Sequence, residues 1–401
     1  MSAVAWRRAL SVQAVLAQAA WVGIRLMLGY RALALGADPV FLGVLASTFA
    51  LPALLAALPA GRIADRRGGT AMVFIGLITA AAGTGLLFAV PGLAFLLVAS
   101  AVIGLGHLLV MVGQQTFVAH VSVTGSSDSA FGTLTAAASI GQLIGPPAVT
   151  FVAALGAGSG GAAPNTDLGL LVCIAFSLLA TPAFFFLRRA DARLRKKRIS
   201  ANSQPAPIGG VLKTPGLWRS LVVSGAVLVT VDLMYAFVPV WATQQNISAT
   251  AVGLLLAVRA GVSVLSRLGL TRLIRRFGRK ALLIISIAAA AVALLALPLT
   301  GLAGAFAVMV GLGLGLGIPQ PLTMAWVTSL TNAAHHGAAL GLRLTVNRFA
   351  QISLPIAMGA AAAPLGVLGI FWANAALLLG ALVVVAGSDA GTQPRPDEGT
   401  A

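Results

Sequence analysis

The sequence predicts an all-α integral membrane protein with twelve transmembrane helices in two six-helix bundles. Three observations predict it: a composition that cannot cover a surface facing water, twelve apolar runs of spanning length, and a repeat relating the two halves. Only 9% of the 401 residues are charged and 59% are hydrophobic, whereas a soluble domain carries about 25% charge. Mean hydropathy is +0.98. These values exclude a soluble globular enzyme and a disordered chain. The formal charge of +17 would suggest nucleic acid in a soluble protein. Here the basic residues fall between apolar runs, so they orient the chain in a bilayer and no nucleic-acid partner is expected.

A membrane span needs about 20 apolar residues. Runs of that kind lie at 11–35, 40–60, 71–90, 93–117, 131–155, 168–187, 217–241, 250–268, 281–299, 302–327, 338–362 and 365–387. Arg7 and Arg8 before the first run mimic a signal peptide. The run is too long for one and has no small-residue cleavage site before Arg25 and Arg31, so it reads as an uncleaved span. Forty-six Gly and nineteen Pro fit membrane helices, which tolerate both.

Lys and Arg cluster at the N-terminus, after spans 2, 6 and 8, and in the tail. The connections after the odd-numbered spans hold none. This asymmetry predicts that both termini face the cytoplasm, in a plasma or inner membrane. The domains read as 1–187, a basic linker at 188–216, a second bundle at 217–388 and a tail at 389–401. The linker, RRADARLRKKRIS followed by ANSQPAPIGG, sets topology; its basic part also suits anionic lipid headgroups. The chain reads as a monomer.

The halves repeat. Residues 61–68, GRIADRRG, align with 271–278, TRLIRRFG, at an offset of 210, which Gly43 and Gly253 also keep. Gly132, Gln142 and Pro146 align with Gly341, Gln351 and Pro355 at 209. A duplicated six-helix unit is an arrangement of secondary transporters, whose substrate sits between the halves and reaches either side as they rock.

The segment GRIADRRGGT resembles the signature loop between helices 2 and 3 of the major facilitator superfamily, Gly-x-Leu-Ala-Asp-Arg-x-Gly-Arg-Lys. Gly61, Ala64, Asp65, Arg66 and Gly68 match, Ile63 stands for Leu, and Gly69 and Thr70 replace the basic pair. Gly61 is expected to permit close packing and Gly68 a left-handed turn. The resemblance implies that Asp65 lies near the start of span 11, where a helix N-terminus favours a carboxylate, and latches one state of the transport cycle. Arg275 replaces the acid in the second copy, so only the first half should carry the latch. The resemblance covers about residues 10 to 388.

Span 5, GTLTAAASIGQLIGPPAV, resembles the helix 5 signature of proton-driven exporters in that superfamily through Gly132, Gly141, Gly145 and Pro146. Gly141 and Gly145 share a face on which another helix can approach closely. Such exporters often carry an Arg in helix 4; Ser100 stands there. His107, nearby, either replaces that basic group or bonds between helices. The glycines of span 10, GLGLGLG, lack the spacing and the Gly-Lys-Ser/Thr of a phosphate loop and read as packing faces. His335 and His336 lack partners at ligand spacing, so no metal is expected. No other cofactor is expected, and the lone Cys173 excludes an intrachain disulfide.

Asp232 is the one carboxylate deep in any span, and such residues are functional candidates by default. It lies nine residues before the outer end of span 7, and Arg259 nine residues after the start of span 8. At 1.5 Å per residue both reach one depth, so they are expected to pair. The pair is either structural or a proton and charge site. Other polar residues share helix faces: Gln18, Trp21 and Arg25; His107 and Gln114; Asp232 and Tyr235; Arg343, Asn347 and Gln351, with Arg348 adjacent. In the family that the sequence resembles, spans 1, 4, 7 and 10 line the cavity, so these stripes, with Gln320, are expected to hold the substrate. The alternative for each is bonding between helices. The expectation is a secondary transporter working by alternating access that exports small amphipathic or drug-like molecules in exchange for protons. The alternative is proton-linked uptake of a small organic anion, favoured by the excess of intramembrane Arg. A membrane receptor is a third possibility. No nucleophile, paired carboxylates or metal cluster suggests an enzyme.

Overall fold

A computed structural model describes residues 3–89, 91–121, 127–156, 163–188, 214–331 and 336–388. Among these, every regular element is helical: α1 Ala3–Ala34, α2 Pro39–Arg67, α3 Gly69–Ala89, α4 Leu93–Val121, α5 Ser127–Leu155, α6 Thr166–Ala180, α7 Leu217–Gln244, α8 Ala249–Leu268, α9 Leu270–Phe277, α10 Arg279–Ala296, α11 Leu302–Gly317, α12 Pro319–Ser329 and α13 His336–Ala386. Eleven described helices are long and apolar enough to cross a bilayer. The helix α13 carries the last two predicted spans, divided at Gly366, where φ is +60°. Predicted span 10 is α11 followed by α12, with Pro319 at the break. The architecture is the all-helical, twelve-span arrangement expected from the sequence.

Two places depart from the expected boundaries. The segment 61–67, read as a loop, continues α2 to Arg67, because nothing in Ala-Asp-Arg-Arg opposes a helix. Gly68 then ends it with φ +93°. The matching segment of the second half forms α9 and ends at Gly278 with φ +76°. Gly68 and Gly278 each donate back to the carbonyl four residues earlier, Ala64 and Ile274, at 2.8 Å. The repeat is therefore built into the turns as well as the sequence.

The turns at 35–38 and 245–248 repeat the same way. Gly36 and Asn246 both have positive φ, conformations that glycine and asparagine tolerate best. Ala37 and Ile247 donate to the carbonyls of Ala32 and Ala242 at 2.9 and 2.8 Å. Asp38 and Ser248 then cap the next helix, accepting from Phe41 N and Ala251 N. Such caps satisfy amides that the first helical turn leaves unbonded.

The chain forms two compact units: Met1–Asn202 with Tyr235–Ala257, and Ser203–Met234 with Val258–Ala401. Inside the first, glycines let backbones meet. A Cβ on Gly69 or Gly76 would lie 2.4 or 2.6 Å from the carbonyl oxygens of Gly113 or Gly106, which seats α3 against α4. In the second, Gly315 does the same against Ala290, joining α11 to α10. Without a hydrophobic drive in lipid, close packing of this kind is a main source of helix association.

Candidate functional site

In the first unit a chain of rings surrounds an intramembrane cation. Trp21 and Arg25 are one turn apart on α1. The His107 ring, from α4, lies 5.0 Å from Trp21 and 5.6 Å from Phe49 of α2. The Arg25 guanidinium sits 5.2 Å from the Phe49 ring centre and 5.7 Å from that of Tyr235. Arg25, Phe49, Leu45 and Ser100 line one pocket. Cation–ring contacts at these distances are worth about 0.5–2 kcal/mol, more as water is excluded. The structure thus gathers Trp21, Arg25, His107 and Tyr235, and adds Phe49, which the sequence reading passed over.

Two residues of α4 explain the shape of this pocket. Ser100, where a helix 4 Arg was looked for, is buried and donates to the Leu45 carbonyl at 3.1 Å. The basic group beside it comes from α1 instead, as Arg25. A Cβ on Gly104 would fall 2.0 Å from the Phe49 carbonyl oxygen. Glycine there lets α2 press Phe49 toward His107 and Arg25.

In the second unit three polar side chains form a relay. Gln351 Nε2 donates to the Asp232 carboxylate, and Arg348 Nη1 donates to Gln351 Oε1 at 2.7 Å. One turn earlier, Asn347 is 3% exposed, and its Oδ1 accepts no hydrogen bond from the described residues. A membrane interior offers no solvent to repay such a group. Arg259 is 2% exposed, and its pairing with Asp232 stays a proposal.

Other candidates lie apart from these two clusters. Gln114 donates to Gln13 at 2.7 Å, and both line a pocket with Thr70 and Phe117. Gln13 was not singled out in the sequence, although it too lies on α1. Gln320 accepts from Arg267 Nη2 at 2.8 Å, and Arg267 Nε donates to the Gly317 carbonyl at 3.2 Å. Pro321 has no N–H to offer that carbonyl, so Arg267, read from sequence as a topology charge, supplies the donor at the break in the helix. Arg343 reaches Thr323 Oγ1 at 3.5 Å. Gln18 packs its Cβ beside Gly141 on α5.

The helix 5 glycines have a defined role. A Cβ on Gly141 would lie 2.5 Å from the Val15 carbonyl oxygen, and one on Gly145 2.7 Å from that of Ala19. They form a seam between α5 and α1. The Pro146 carbonyl lies beside Gly253 and accepts from Thr150 at 2.8 Å. A Cβ on Gly132 would meet none of the described residues within 4 Å, so among them it takes no part in the seam. A Cβ on Gly61 would likewise meet none of the described residues within 4 Å, which corrects the expectation of close packing there. It sits where α2 runs on with Arg62, Ile63 and Arg66 exposed. The Asp65 side chain, the linker at 189–213, His335, the His336 side chain and the tail lie outside the described residues.

A family model described as the Major Facilitator Superfamily matches residues 10–319 and 233–400. The chain belongs to the Major Facilitator Superfamily. This facilitator is similar in structure to the nucleoside transporter NupG, with a TM-score of 0.74 and 13% identity over 95% of this chain and 98% of that one. It is similar to the peptide transporter POT in complex with sulfate, at 0.71 and 16% over 95% and 94%. A bacterial homologue of the human lysosomal transporter Spinster, in an inward-facing and occupied conformation, gives 0.70 and 16% over 95% and 94%. At these identities the likeness establishes the fold. No curated protein sequence matches the chain. The facilitator is a multi-pass membrane transporter and not an enzyme.

Proposed function

We propose that this facilitator is a proton-coupled secondary transporter that exports small amphipathic or drug-like molecules across the plasma membrane by alternating access. The observation that carries the coupling is the relay Arg348–Gln351–Asp232. Asp232 holds the exchangeable proton. Gln351 bonds the carboxylate, and Arg348 fixes the orientation of Gln351. Proton exchange at Asp232 is coupled to the rearrangement of these contacts as the protein changes state. The substrate site is Trp21, Arg25, Phe49, His107 and Tyr235, where rings and a cation suit an amphipathic molecule. Asp65, with Arg66 and Gly68, is the conformational latch. The seam at Gly141, Gly145 and Pro146, similar to the exporter signature, supports export. The placement of basic residues supports cytoplasmic termini, and the chain acts as a monomer.

A second reading, proton-linked uptake of a small organic anion, is favoured by Arg25 in the pocket, since a guanidinium binds carboxylates well. One assay separates the two. The protein is reconstituted into liposomes holding a pH dye, and lipophilic dyes or short-chain carboxylates are added on the inside or the outside. Proton flux opposite to dye movement supports export. Proton flux in the same direction as a carboxylate supports uptake, and no proton flux with any probe refutes coupling.

A further inference from the structure

We propose that α9 is a docking surface for anionic phospholipid headgroups. At 100° per residue, Leu270, Leu273, Ile274 and Phe277 share one face of this eight-residue helix, and Arg272, Arg275 and Arg276 occupy the opposite face. None of its residues is buried, and all three arginines are exposed. The helix starts two residues after Leu268, the last residue of the span α8, and ends two residues before Arg279, where the next span begins. At 1.5 Å per residue, both of its ends lie within a few ångström of the span ends. Leu265 and Leu268, immediately before it, are 67% and 80% exposed, as side chains facing acyl tails would be. The arginine face is thus held at headgroup level.

The sequence around α9 offers this charge no carboxylate. Arg279 and Lys280 follow α9, so five basic residues lie within nine positions. Between 233 and 388 the chain contains no Asp or Glu. The carboxylate nearest in sequence before this stretch, Asp232, is engaged with Gln351 inside the span. A phosphodiester in the adjoining leaflet supplies the missing negative charge, and a guanidinium binds phosphate through paired hydrogen bonds. The Arg276 guanidinium lies 5.6 Å from the Phe277 ring centre. The first copy of the repeat differs, because Asp65 stands among Arg62, Arg66 and Arg67.

The test is native mass spectrometry of the full chain in detergent, titrated with phosphatidylglycerol or with phosphatidylcholine of the same acyl chains. The wild type should bind phosphatidylglycerol more tightly, in a salt-sensitive way. The triple variant Arg272→Gln/Arg275→Gln/Arg276→Gln should lose roughly fivefold in affinity per arginine removed, with phosphatidylcholine binding unchanged. The matching triple Lys variant keeps the charge and should keep most of the affinity, which separates headgroup binding from damage to the fold. Equal binding of the two lipids by the wild type, or unchanged phosphatidylglycerol affinity in the Gln variant, overturns the proposal. So does loss of that preference when only residues 389–401 are deleted, since the binding would then belong to the tail.

Discussion

The two units solve the problem of intramembrane charge in opposite ways. In the first, a cation is surrounded by rings: Arg25 lies against Phe49 and Tyr235, with His107 between Phe49 and Trp21. In the second, an acid is held by hydrogen bonds: Asp232 accepts from Gln351, which accepts from Arg348. Ring faces stabilise a charge without fixing its direction, which suits a site that exchanges one ligand for another. Hydrogen bonds hold a charged group in one direction, which suits the coupling role proposed for Asp232. One compact unit thus carries an adaptable pocket and the other a directional relay.

The largest effect expected from breaking this contrast falls on the acid. If Asp232 and Arg259 pair, neutralising either alone leaves a buried charge at a cost of about 3–5 kcal/mol. Asp232→Asn or Arg259→Gln should then lower the thermal unfolding midpoint in detergent, and the double variant should recover most of the loss. Additive losses in the double variant would mean that the two side chains do not interact. Next comes the latch. Asp65→Asn should insert normally and lose at least about tenfold in transport rate, or roughly 1.4 kcal/mol in the barrier. Arg275→Gln, its counterpart in the second copy, should transport within about twofold of the wild type. Equal losses from both would show that the loop serves each half alike.

The pocket should respond more gently. Arg25→Gln removes the cation from the proposed substrate site; a lost substrate contact of about 1.4 kcal/mol would raise the substrate concentration for half-maximal transport about tenfold. Arg25→Lys should recover part of that. If the Gln variant transports like the wild type, the substrate binds elsewhere. The smallest effect belongs to the turns. Ala at Gly68 or Gly278 faces a positive φ in each copy and should cost about 1–2 kcal/mol, read as similar small shifts in unfolding midpoint. A much larger loss of transport for Gly68→Ala alone would tie that turn to the latch.

Most of the fold was legible because a bilayer leaves few choices. Apolar length sets the number of spans, and the placement of basic residues gives their expected direction. The extension of α2 to Arg67 was hidden because hydropathy reports burial in lipid, and a helix leaving the bilayer is polar. The repeat was visible at 61–68 and 271–278. It was invisible at 35–38 and 245–248, where Gly36 and Asn246, or Asp38 and Ser248, do one job with different residues. Within the site, polar residues on one helix face drew attention and Phe49 did not, since a phenylalanine in a span carries no signal of its own. Only the distance to Arg25 reveals it. Arg267 has a second role that sequence did not reveal for a related reason: the same charge that orients a loop can turn inward to a broken helix, and sequence records no direction.

The central claim is that Asp232 carries the proton that drives transport. Its most direct test is Asp232→Asn in liposomes, with an inward proton gradient imposed and accumulation of a transported probe followed against its own gradient. Uphill movement should disappear while exchange down the probe's gradient continues. Uphill accumulation that keeps its dependence on the proton gradient in Asp232→Asn would contradict it.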